Sequence, residues 1–107
     1  MSGQDIVRSR LKLRLDKTIR ELNQEIINPE IPEVKLEDLE PVLRLVARTR
    51  AAYLKELFAV TQGAGVHLPS AAQVERLQDA RETYEELLKA SQALEAAIDR
   101  GYLDVMG

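Results

Sequence analysis

A chain of 107 residues has room for one domain and one modest core, and its 45% hydrophobic and 31% charged residues are the balance of a folded, soluble protein rather than a disordered one. Aromatics make up only 4% (Tyr53, Phe58, Tyr84 and Tyr102), so the core must come from Leu, Val, Ile and Ala, which favours packed helices over a sheet sandwich. The absence of cysteine excludes disulfides, thiolate nucleophiles and Cys-type zinc sites, and it suits a reducing cytoplasm.

No run approaches the roughly 18 apolar residues of a membrane span. Charges are spread through the N-terminal segment, and no signal peptide is visible there. The net charge of -3 hides a split. Residues 1–20 carry six Lys or Arg against two Asp, and residues 21–40 carry seven Asp or Glu against one Lys. A basic segment followed directly by an acidic one can pair with itself or with a copy of itself.

Leu15, Ile19, Leu22 and Ile26 recur at helical spacing and Leu11 extends the stripe, which predicts helix 1 over about residues 5–28. Asn28-Pro29 is expected to end it, because the residue before a proline is pushed out of the helical region. At 100° per residue, Arg10, Arg14, Lys17 and Arg20 fall on the side away from the stripe. Ile6 and Leu13 lie among these cations. One side of the helix is expected to face its own domain, which leaves Ile6 and Leu13 for a neighbour.

The strap that follows, residues 29–37, is acidic and proline-rich. Pro29 and Pro32 favour an extended path, and Ile31, Val34 and Leu36 alternate with charged residues as in a segment laid along a surface. Antiparallel neighbours need only about 2–5 connecting residues, whereas roughly nine extended residues reach about 30 Å. The strap therefore returns helix 1 nearly parallel to helix 2, or swings it out onto another chain.

Helix 2 is predicted over about residues 38–62, with Asp38 as N-cap and Pro41 in the first turn. Leu39, Leu43, Val46, Tyr53, Leu57 and Val60 follow a four-three pattern interrupted by Arg50. Ala47, Ala51, Leu54 and Phe58 widen the apolar arc, as in a helix with two partners. In the loop, residues 63–70, Gly63 and Gly65 suit a left-handed cap, and Ser70 with Gln73 forms a capping-box signature. Helix 3 runs over about residues 71–100 with a seam of Leu77, Ala80, Tyr84, Leu87, Ser91, Leu94 and Ile98. Gly101 is its expected C-cap, before the apolar tail of residues 101–107.

Chemistry has few candidates. His67 stands alone on a glycine-flanked loop, with Ser70 better explained as a cap. "GAGVH" lacks the Lys-Ser/Thr ending of a phosphate loop. Glu82, Glu85 and Glu86 lack accompanying histidines, so a solvated face explains them better than a metal site. No catalytic residue, cofactor or metal is expected.

The fold read from the sequence is all-α. It has three long helices, an antiparallel helix 2–helix 3 hairpin, and helix 1 joined by the strap, in a single domain over residues 1–107. The function read from it is a non-enzymatic protein–protein interaction or assembly module of the cytoplasm, acting as a homo-oligomer. Ile6, Leu13, Arg50, Tyr102 and Leu103 are the candidate interface residues. Arg50 interrupts an apolar seam, where a charge can fix register or partner identity; Tyr102 and Leu103 belong to a tail that either docks on a partner or folds back. The alternative is a small regulatory nucleic-acid binder using Arg10, Arg14, Lys17 and Arg20 against phosphates.

Overall fold

A computed structural model describes residues 2–31 and 33–106 of the chain, so Pro32 of the strap lies outside the described residues. Its elements in chain order are α1 (Gly3–Glu30), β1 (Val34–Lys35), α2 (Leu36–Ala64), α3 (Ala71–Asp99) and β2 (Val105–Met106). The fold is all-α, with three long helices and one minimal strand pair. Contacts divide the chain into two compact units, Met1–Leu36 with Glu95–Gly107 and Glu37–Leu94.

In the first unit, α1 opens on a reciprocal cap: the Asp5 amide donates to Ser2 Oγ, and the Ser2 amide donates to Asp5 Oδ2. The expected stop at Asn28-Pro29 is passed, since α1 includes Pro29 and ends at Glu30. A proline there forfeits its own bond to the carbonyl four residues back and its ring crowds that carbonyl, but in the last turn these costs are not propagated. The ladder resumes at once, with the Ile31 amide donating to the Ile27 carbonyl at 3.0 Å. The chain leaves the helix at Ile31 (φ -126°, ψ 89°), which lies outside the helical region, as is favoured for a residue before proline. Of the residues expected to form the strap, Pro29 and Glu30 belong to α1, and Leu36 and Glu37 to α2.

β1 pairs in parallel with β2, Val34 facing Val105 and Lys35 facing Met106. The Val34 amide donates to the Asp104 carbonyl at 2.8 Å. The tail reaches this position through the end of α3. Gly101 sits at φ +74°, its amide donates to the Ile98 carbonyl, and the Tyr102 amide donates to the Ala97 carbonyl. These are the two bonds of a Schellman cap, for which glycine is the residue without a steric penalty. The turn delivers Tyr102 and Leu103 inward, and both are buried together with Val34.

In the second unit, α2 and α3 pack together, with later residues of α2 meeting earlier residues of α3. Glu56 meets Arg76 (3.4 Å), while Arg50 meets Tyr84 (3.0 Å). α2 begins at Leu36 rather than at Asp38, which places Asp38 and Glu37 in the first turn, where acidic side chains favour the helix dipole. Pro41 accordingly lies a turn further in than expected. The expected box at the start of α3 is present: the Gln73 amide donates to Ser70 Oγ, and the Ser70 amide donates to Gln73 Oε1 at 2.7 Å. Of the two loop glycines, only Gly65 is left-handed (φ +59°). Gly63 is still helical, and a Cβ there would stand 2.5 Å from Gln73 Nε2, so a larger residue must displace the end of that side chain.

Candidate protein interface

The side of α3 that is covered repeats every three or four residues, through Gln73, Leu77, Ala80, Tyr84, Leu87, Ser91, Leu94 and Ile98. This is the seam the sequence predicts. Ser91 is buried there and donates its hydroxyl to the Leu88 carbonyl at 2.8 Å, so its polarity is satisfied within the helix.

α2 presents a different column from the one its apolar residues suggest. Leu39, Val46, Tyr53 and Val60 are covered as expected, but Val42, Thr49 and Glu56 lean in beside them. Leu43, Arg50 and Leu57 stay exposed, which corrects the seam read from the sequence. The roll has a reason in the polar groups. Thr49 donates its hydroxyl to the Val46 carbonyl, and Glu56 meets Arg76. Arg50 stays exposed, so its guanidinium avoids the cost of burying a charge without a carboxylate. It donates from Nε to the Tyr84 hydroxyl at 3.0 Å and lies 5.3 Å from that ring's centroid, while Tyr53 and Tyr84 stack at 6.0 Å. Arg50 therefore has a partner within its own hairpin. The roll leaves Leu43, Leu54, Leu57 and Phe58 facing outward, with Phe58 64% exposed.

α1 goes further. None of its described residues is buried. Leu11, Leu15, Ile19, Leu22 and Ile26 are 46–65% exposed, so the stripe expected to face the chain's own domain remains open, and Val7 extends it. Among the described residues one edge of the helix is covered: Asp16, Ile19 and Arg20 line a cleft with Arg100 and with Tyr102 of the tail. Asn23 and Ile27, which continue that edge, are half-buried.

The residues singled out from the sequence fall in different places. Ile6 and Leu13 are exposed on α1. Tyr102 and Leu103 are 8% and 5% exposed, so the tail folds back and serves the chain's own core. Arg10, Arg14, Lys17 and Arg20 are exposed on α1, with Lys17 facing Glu21 at 3.8 Å. His67 is exposed on its loop between Val66 and Leu68, which are also exposed. Among the described residues no cluster of His, Cys, Asp and Glu is placed to hold a metal, and no helix is long and apolar enough to cross a membrane. The open flank of α2 is the feature that sequence reasoning placed least well. Its signal is the width of the apolar arc, which shows two faces without saying which one the hairpin uses.

No protein-family model, curated protein or solved structure matches the chain.

Proposed function

We propose that the chain is a non-enzymatic assembly module that works by helix packing as a homo-oligomer, in the reducing cytoplasm that its cysteine-free composition suits. The support is α1, 28 residues long with an apolar stripe from Val7 to Ile26 and no buried residue. A helix draws most of its stability from packing its apolar face, so a stripe of this length calls for a partner.

Charge favours a second copy as that partner. Residues 1–20 are basic and residues 21–40 acidic, so two copies complement each other when these segments cross. Arg10, Arg14, Lys17 and Arg20, four of the exposed cations of α1, favour nucleic acid as a second reading; the isoelectric point of 5.2 and the Lys17–Glu21 pair weigh against it.

The test is the solution mass by light scattering over a range of concentrations, at low and high salt. A dimer or larger assembly supports the proposal, and a strict monomer at high concentration overturns it. Salt-sensitive binding to DNA or RNA, lost on reversing the charge of Arg10, Arg14, Lys17 and Arg20, would establish the second reading instead.

A further inference from the structure

Resting on that reading, we infer that α1 pairs antiparallel with α1 of a second copy, about a two-fold axis near Asp16 and Lys17. The stripe is self-complementary under reversal. With one helix laid against a reversed copy about that point, Val7 meets Ile26, Leu11 meets Leu22 and Leu15 meets Ile19. All six are exposed in the chain by itself. A two-fold contact uses the same patch on both copies, which is what this reversal requires.

The stripe would also match itself in a parallel pair, so orientation must come from charge. Arg10, Arg14, Glu21 and Glu25 share an arc of about 60° at 100° per residue, along the stripe's Val7 edge. Val7, Arg10, Leu11 and Arg14 line one shallow depression there, so these two cations, which lie away from Leu15, Ile19, Leu22 and Ile26, border the stripe where Val7 and Leu11 extend it. In the antiparallel pair Arg14 comes beside the partner's Glu21 and Arg10 beside the partner's Glu25, and the two-fold repeats both pairs. In a parallel pair the two-fold axis runs along the helices, so the Val7 edge of one copy faces the opposite edge of the other, where Asp16, Ile19 and Arg20 already meet the end of α3 and the tail, and neither arginine–glutamate pair forms. Glu21 already faces Lys17 of its own helix at 3.8 Å, but with side chains 63% and 76% exposed this is a surface pair of little strength, and it leaves Glu21 available. The apolar residues supply affinity and the flanking charges set direction, the usual division between these forces at an interface.

The chain has no cysteine, so single thiols report directly on which residues meet. Full-length Val7→Cys and Ile26→Cys variants are treated with a short bis-maleimide, alone and mixed, with solution mass measured in parallel. The expected result is a crosslinked dimer in the mixture and little from either variant alone. Crosslinking of each variant with itself means a parallel pair, and it overturns the inference while the homo-oligomer stands. An oligomer by mass with no crosslink in any sample also overturns it, since another face then holds the copies together. A monomer by mass overturns the inference and the proposed function together.

A charge exchange provides a second measure. Arg14→Glu is expected to weaken association about tenfold by setting carboxylates against each other at two symmetric positions. Adding Glu21→Arg to the same chain restores it. A double variant as weak as the single one would count against the antiparallel register, and because both residues are exposed, helical content by circular dichroism should be unchanged throughout.

Discussion

Replacing Leu103 by alanine tests whether the tail is what holds the segment between α1 and α2. Leu103 is 5% exposed, so nearly the whole side chain is lost from a packed site. Leucine-to-alanine changes at such sites cost about 2–5 kcal/mol. A middle value of about 3 kcal/mol corresponds to roughly 150-fold in an equilibrium constant. The local reporter is the Val34 amide, which donates to the Asp104 carbonyl immediately after Leu103. If Leu103 anchors the tail, hydrogen exchange at Val34 accelerates by about that factor in Leu103→Ala. Met106→Ala makes a control, because Met106 is exposed although its strand is the same, and it should change Val34 exchange by less than about threefold. The measurement is amide exchange followed by NMR, with α2 and α3 amides as internal references. A Val34 rate unchanged in Leu103→Ala would refute the reasoning, since the strand pair would then persist without the buried side chain beneath it.

Two further predictions concern the hairpin. Gly63→Ala is expected to be nearly neutral, because the helix propensity gained, about 0.5–1 kcal/mol, is offset by displacing the Gln73 side chain that caps Ser70. In a Gln73→Ala background the same change should stabilise by about that amount, and denaturant unfolding of the four variants gives the coupling. Tyr84→Phe removes the hydroxyl that accepts from Arg50 while leaving the ring beneath the guanidinium. It should cost about 0.5–1 kcal/mol in urea unfolding, and a loss above about 2 kcal/mol would mean that the hydroxyl holds more than this one bond.

The three helices are legible in the sequence because each carries a long three-four repeat, and the covered positions of α3 follow that repeat from Leu77 to Ile98. The caps at Ser70 and Gly101 are legible for a different reason: each is a local hydrogen-bonding pattern that needs no tertiary information. What fails is anything decided between elements. Two interleaved columns of α2 share Leu39, Val46, Tyr53 and Val60, and only the partners available to Thr49, Glu56 and Arg50 select which column leans in. Pro29 reads as a stop because propensity prices one lost bond, and the resumed ladder at Ile31 is invisible to it. Val34 shows its apolar alternation plainly, yet its partner Val105 lies at the far end of the chain. For the interface, the stripe on α1 is legible from spacing alone. That it stays open is not, since an amphipathic face looks the same whether its own chain or another one covers it.

The pairing of Val34 with Val105 also sets an order of events during synthesis. The unit containing α1 is written in two pieces, Met1–Leu36 and Glu95–Gly107, with all of Glu37–Leu94 between them. At about 5–20 residues per second, the ribosome takes roughly 3 to 12 s to cross that interval. A helix forms in about a microsecond, so α1 is in place long before its tail is made. For those seconds Ile19 and its neighbours are more exposed than in the finished chain, and a copy emerging on the next ribosome encounters α1 before Tyr102 and Leu103 exist.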